Sequence, residues 1–456
     1  MEATQNKMGT AKMLPLIISM SLPAMFSMLV QALYNVVDSY FVSQVSENAL
    51  TAVSLAYPIQ MLLIAFAVGT SIGINSLIAR RLGEGNQEEA DSAATHGMFL
   101  GVLTWVLFFL FGLFFVGAFI GMYTSDSEIY AGGTSYLSIC CIWTLGVFIE
   151  CNLEKTLQAT GNMIWPMIFQ LTGAIVNIIL DPMFIFGFAF IPQMGVAGAA
   201  IATVIGQHAA MVVAIIVVLT KDHAVKIRLR GFRPNWQTIR NIYVVGIPSI
   251  IMQAISSVMN IAMNAILVGF SSTAVAVFGI YFKLQSFVFM PVFGLTHGVM
   301  PIMGYNYGAR NHKRLMLALR IGMIIALLIM AIGVVLFWAI PDVFLQIFNA
   351  SQNMLDIGVP ALRTISLCFL PAALGILFST LFQAVGKGTY SLMISLLRQL
   401  IILVPVAYFL ASISVQAVWY AFPVAEVVSL FASIGFFVHC KRKMLHTHDA
   451  EEKASA

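Results

Sequence analysis

Asn177-Ile178-Ile179-Leu180-Asp181-Pro182 decides how this chain is read. The six residues lie inside an apolar run from 164 to 191, long enough to cross a bilayer. An ionised Asp at the centre of a membrane helix costs about 2.5–3.5 kcal/mol on insertion scales, so a chain that keeps one generally uses it. Asn177 and Asp181 are four apart and share a helical face. Pro182 has no N–H, so the Ile178 carbonyl loses its usual partner. Carboxylate, amide and freed carbonyl on one side of a helix make an oxygen site for a small cation. The competing reading is a kinked helix whose Asp is satisfied by a neighbouring hydroxyl.

The rest of the chain supplies the membrane. Its 456 residues are 60% hydrophobic and 9% charged, with mean hydropathy +0.93, where a soluble domain carries roughly 25% charged residues. That predicts an all-α polytopic membrane protein. Apolar runs at 14–43, 49–80, 92–122, 129–157, 163–190, 194–219, 238–270, 273–305, 315–340, 355–385, 389–412 and 415–440 give twelve spans. Every second break is basic: Arg80 and Arg81, the run from Lys221 to Arg240, then Arg310, Lys313 and Arg314, Lys387, and Lys441 to Lys443. By the positive-inside rule both termini are expected in the cytoplasm of a cell (inner) membrane. The five cysteines show no CxxC or metal spacing and read as free thiols. The first apolar segment is too long for a signal-peptide core and is expected to be retained.

The chain also repeats itself. Pro23, Asn35, Gln60, Gly69, Gly73, Gly83 and Asn86 recur as Pro248, Asn260, Gln285, Gly294, Gly298, Gly308 and Asn311, each 225 residues on. The same offset relates Gln158, Ala159 and Gly161 to Gln383, Ala384 and Gly386. This predicts two six-helix lobes, 1–219 and 238–440, joined by a basic linker, 220–237, and followed by a tail, 441–456. Six is even, so the two lobes share one orientation, and their axis runs along the membrane normal.

Several buried polar residues are candidate site groups. Asp38 stands in the first span with Asn35 and Tyr34 three and four residues earlier, so all three share a face. Counting about 1.5 Å per residue, Asp38 lies about 8 Å deep and Asp181 and Thr203 about 13 Å deep. Asp38, Asn177, Asp181 and Thr203 can therefore meet in the outer half of the first lobe. Two carboxylates in a poorly hydrated place repel, and a proton or Na⁺ relieves them. Oxygen ligands suit a hard cation better than a transition metal. The second lobe has Met263 where the first has Asp38. Its own charges are Lys283, Arg398 and Glu426, each about 15–17 Å deep. An Arg398–Glu426 pair that satisfies itself is one reading. A Glu426 that lines a substrate cavity is the other, and Glu150 in the fourth span could serve likewise. His96 and His208 read as packing or interfacial residues. The abundance of Phe and Met suits a cavity for varied greasy molecules, although membrane bundles are generally rich in both.

No HExxH, GxSxG, P-loop or dinucleotide turn is present, so no enzyme and no cofactor is expected. Without an ATP site, uphill transport has to draw on an ion gradient.

The paired halves, the Leu-Pro and Ile-Pro starts at Pro23 and Pro248, the turns Arg81-Leu82-Gly83 and Asn306-Tyr307-Gly308, and Asn177…Leu180-Asp181-Pro182 resemble the MATE (multidrug and toxic compound extrusion) transporters. The Leu-Asp-Pro form is most similar to the bacterial MepA/DinF-like side of that family. The resemblance implies a V-shaped pair of lobes that exports organic cations in exchange for H⁺ or Na⁺. It carries the cation site onto Asp38, Asn177, Asp181 and Thr203, with the backbone of Ala199 close by. Some members use acids in the seventh and tenth helices; this chain has none in the seventh and none from Leu362 to Gly386 in the tenth, which favours coupling through the first lobe. The expectation is a monomeric secondary antiporter for lipophilic, cationic drug-like molecules in the lipid bilayer, with no nucleic-acid partner. The alternative is a flippase for lipid-linked precursors, which calls for a cavity richer in fixed positive charge.

Overall fold

The computed structural model describes residues 6–348 and 350–455, and the side chains of these apart from 35, 36, 39, 43, 47, 50 and 443–455. The first repeat runs α1 (Lys7–Thr10), α2 (Met13–Ser43), α3 (Glu47–Gly83), α4 (Gln87–Phe114), α5 (Val116–Gly121), α6 (Ser127–Ile142), α7 (Leu145–Ala159), α8 (Ile164–Phe186) and α9 (Gly195–Thr220). The second runs α10 (Trp236–Val268), α11 (Ser272–Gly308), α12 (His312–Ala339), α13 (Pro341–Gln346), α14 (Gln352–Ser366), α15 (Phe369–Ala384) and α16 (Gly388–Leu396). A π-helical stretch (Leu397–Leu403), α17 (Val404–Ala411), α18 (Val415–Val418) and α19 (Ala421–Ser455) complete it. Among the described residues, ten helices are long and apolar enough to cross a membrane by themselves. The other two spans are bent pairs, α6 with α7 at 44° and α14 with α15 at 46°, where the sequence reads as two uninterrupted runs. Counting each pair once gives the twelve expected spans.

The 225-residue offset governs the helix ends. Each helix start leaves backbone N–H groups without intrahelical partners, and short polar side chains satisfy them. Ser46 accepts from Ala49 N–H at 3.0 Å, and Ser271 from Ala274 N–H at 3.1 Å. Asn86 accepts from Glu89 N–H and Asn311 from Arg314 N–H, both at 3.1 Å. Asp126 and Ser351 cap α6 and α14 in the same way. All three cap pairs keep the offset. Gly85 and Arg310, 225 apart, both take the left-handed conformation, at φ 75° and 54°. Glycine enters that region without a steric penalty, whereas Arg310 is held there by the turn around it.

By its contacts the chain forms two compact units. The first holds 1–254, 293–318 and 384–386; the second holds 255–292, 319–383 and 387–456. The units are not the two sequence repeats, because one end of α10 and of α11 packs onto the first repeat. Glycines make that packing close. A Cβ on Gly69 would strike Ile250, and one on Gly294 would strike the backbone of Met25. A Cβ on Gly83 would fall on the Tyr305 carbonyl, and one on Gly308 on the Arg80 carbonyl. Each pair is its partner shifted by 225. A Cβ on Gly304 would meet that of Ala79, its own equivalent, at 3.1 Å, so a local twofold axis passes between them.

The linker 220–237 is docked onto α4. Asp91 Oδ1 accepts from Lys226 N–H at 2.9 Å, Thr95 Oγ1 from Arg228 N–H at 3.1 Å, and His96 Nε2 from Asn235 N–H at 2.8 Å. His96 is thus an interfacial residue with a partner. Cys140, Cys141, Cys151 and Cys368 are free thiols.

Substituting Gly83→Ala should lower the thermal midpoint of the purified protein, with a cost of about 1–3 kcal/mol from overpacking. Gly308→Ala should behave alike. Gly279→Ala in α11, where nothing lies within 4 Å of an added Cβ, should instead raise the midpoint, through a stabilisation of up to about 1 kcal/mol. Equal effects at Gly83 and Gly279 would contradict the close approach.

Candidate ion site in the first repeat

Helix α8 is two-faced. Ile175 and Ile179 are 53% and 56% exposed, whereas Asn177 and Asp181 are 2% and 0% exposed. An apolar face outward and a polar face inward is what a lipid-facing helix needs when it carries a functional acid. The helix is regular through Pro182.

Small residues bring α9 against that polar face. A Cβ on Gly198 would strike the Phe184 carbonyl, and one on Gly206 would meet the Gly173 oxygen and the Asn177 Cβ. Thr203 therefore lies beside Asn177. Oriented so that each group meets a complementary partner, the Asn177 amide donates to Asp181 Oδ2 at 2.9 Å. Its oxygen accepts from Thr203 N–H at 3.0 Å and from Thr203 Oγ1 at 3.2 Å. Ala199, one turn before Thr203, is buried, and its carbonyl points along α9 toward the same N–H.

Helix α2 brings the second acid. The carboxyls of Asp38 and Asp181 lie within hydrogen-bonding reach of each other. No Lys or Arg among the described residues acts on either one. Asp38 Oδ1 is buried without a hydrogen-bond partner. Tyr34, one turn before Asp38, bonds the Thr203 hydroxyl. The side chain of Asn35 lies outside the described ones. The structure thus brings together Tyr34, Asp38, Asn177, Asp181, Thr203 and Ala199. An orphaned carboxylate oxygen facing a second carboxyl fits a proton or a small hard cation. Among the described residues, no group of three or more His, Cys, Asp or Glu forms a metal cage.

Gln60, Tyr136 and Cys140 escaped the sequence reading. Gln60 Nε2 donates to Tyr136 Oη at 2.9 Å and reaches Cys140 Sγ at 3.7 Å. Tyr136 and Cys140 both lie close enough to Asp38 to feel its charge. The available signals were the recurrence of Gln60 as Gln285 and the four-residue spacing of Tyr136 and Cys140 on one face of α6.

The candidate cavity residues fall elsewhere. In the first unit, Glu150 lies beside Glu154 and Lys155 of α7. In the second unit, Arg398, within the π-helical stretch, meets Glu426 Oε1 through Nη1 at 3.3 Å, and Lys283 stands 5.8 Å over the Phe348 ring.

Known proteins of similar sequence and fold agree with this architecture. A family model described as MatE matches residues 23–183 and again 248–409. The Staphylococcus aureus protein named multidrug export protein MepA is 25% identical over 422 residues, covering 91% of each chain. The Staphylococcus saprophyticus protein of that name is 25% identical over 433 residues, covering 94% of each. A multidrug resistance MATE family transporter of the MOP superfamily, solved outward-facing, superposes with TM-score 0.90 at 26% identity, covering 98% of this chain and 99% of that one. A MOP superfamily transporter from Pyrococcus furiosus superposes with TM-score 0.89 at 26% identity, over 97% and 99% of the chains. Its binding pocket is described as reversed in polarity, suggesting a different function. One family model matched twice, at the spacing that the caps and glycines also keep, shows that this chain is a transporter rather than an enzyme and belongs to the MatE family.

Proposed function

We propose that this protein is a secondary antiporter that exports bulky, lipophilic, cationic organic compounds in exchange for H⁺ or Na⁺. Asp38 and Asp181 carry the coupling ion, with Asn177, Thr203, Ala199 and Tyr34 around them. The observation that carries the reading is the carboxyl pair itself: two acids inside membrane spans, facing each other, with no Lys or Arg among the described residues acting on them. An ion arriving there discharges the pair. The ion drives transport only through its different affinity for the two conformations. In this reading the halves 1–219 and 238–440 are the moving lobes, and both termini and the linker face the cytoplasm. The export named for the Staphylococcus relatives supports the substrate class. A phosphate-bearing lipid cargo is less well supported, because Arg398 is matched by Glu426 and Lys283 lies over an aromatic ring.

Asp181→Asn and Asp38→Asn should each reach the membrane yet abolish ethidium export from cells. Normal efflux by either variant would remove that acid from the mechanism. Tyr34→Phe, which loses only the hydroxyl on Thr203, should slow export by up to about tenfold, the worth of one hydrogen bond. In proteoliposomes, collapsing one of the two gradients, that of the coupling ion, should stop dye movement. Transport that ignores both gradients would exclude an antiporter.

A further inference from the structure

A second buried acid cluster lies in α7, apart from the Asp38–Asp181 pair. Lys155 Nζ donates to Glu154 Oε1 at 2.8 Å, to Gln158 Oε1 at 2.9 Å and to His297 Nδ1 at 3.3 Å. Glu154 also accepts from Gln158 Nε2 at 2.7 Å and from Gln170 Nε2 at 2.9 Å. An ammonium only donates, so His297 accepts on Nδ1 and carries its own hydrogen on Nε2. Glu154 and Lys155 neutralise each other. Glu150, one turn before Glu154, is 8% exposed, and its Oε1 has no hydrogen-bond partner. Two carboxyls therefore share one ammonium, and an ionised Glu150 would leave the cluster with an uncompensated negative charge inside a membrane span.

The polar groups of α7 and of the helices packed on it are otherwise engaged. Its own helix presents Cys151, Glu154 and Lys155. From α11 comes His297, held by Lys155, and from α8 the uncharged Gln170. From α3, Asn75 is taken up by the Lys155 carbonyl, and Arg80 by the Ser76 carbonyl. On α4, Asp91 and His96 are bound to the linker, and on α9, His208 bonds the Val204 carbonyl of its own helix. A metal cation at Glu150 would sit beside the Lys155 ammonium and be repelled. A proton neutralises the acid without adding a second centre of positive charge.

We propose that Glu150 is a second proton-binding site of this transporter, read out by Lys155. When the proton is present, Lys155 stays on Glu154, Gln158 and His297 and ties α7 to α11. When the proton leaves, two carboxylates compete for one ammonium, Lys155 shifts toward Glu150, and the contact with His297 is lost. The proposal deepens the ion-coupled reading and rests on it for the coupling ratio, but the presence of the proton can be observed independently.

Infrared spectra of the Asp38→Asn, Asp181→Asn double variant in sodium-free buffer should retain a protonated-carboxyl band that disappears on alkalinisation. The band should be missing when Glu150→Gln is added. A double variant without such a band, or a band that survives Glu150→Gln, overturns the proposal, whatever the dye assays show. In proteoliposomes the proton-to-ethidium ratio should fall by one proton in Glu150→Gln relative to the unmodified protein. An unchanged ratio overturns the coupling role. Dye export surviving in Asp181→Asn would instead count against the ion site of the first repeat and leave the infrared result standing.

Discussion

A carboxylate inside a membrane-spanning helix has to be balanced, because lipid offers it no solvation. This chain balances its buried acids in three ways. Glu426 takes a fixed partner, Arg398. Glu154 takes Lys155, but Glu150 beside it is left over. Asp38 and Asp181 face each other, and no Lys or Arg among the described residues acts on either. The less complete the internal compensation, the more the acid depends on something mobile, and a buried ion pair that compensates itself gains little from an incoming ion. That ranking is the physical basis for proposing the exchangeable charge in the first repeat.

The scaffold that holds these acids in register is built from absence of side chain. Gly173, Gly198 and Gly206 bring α8 and α9 to backbone contact, so the Thr203 N–H and hydroxyl reach the Asn177 amide. Gly69, Gly83, Gly294 and Gly308 do the same for α2, α3, α10 and α11 around the local twofold axis. Packing this close tolerates few intermediate arrangements.

The repeat is strict in the scaffold and broken at the sites. Caps, turns and glycine contacts keep the 225-residue offset, yet the position equivalent to Asp38 is the fully buried Met263. Where the first repeat has the regular helix α8, the second has α16, a π-helical stretch containing Arg398, and α17. Such π segments are often found at functional sites. Two copies of one architecture have thus acquired different buried chemistry.

Hydropathy, charge alternation and the offset were sufficient, from sequence alone, for the membrane class, the twelve spans and the two-fold repeat. Helical spacing put Asn177 with Asp181 and Tyr34 with Asp38, because residues four apart share a face whatever surrounds them. Depth along each span added Thr203, with family resemblance pointing the same way. What sequence could not supply was any contact between distant segments that leaves no periodic trace. Gln60 meets Tyr136 only because α3 packs on α6. Glu154 and Lys155 are neighbours in sequence, and adjacent residues on a helix usually point apart. Their pairing exists because Gln158, Gln170 and His297, from three different helices, converge on them. The bends at α6–α7 and α14–α15 were equally invisible, since apolar composition continues through them. Periodicity encodes which face of a helix is buried; only packing decides what that face meets.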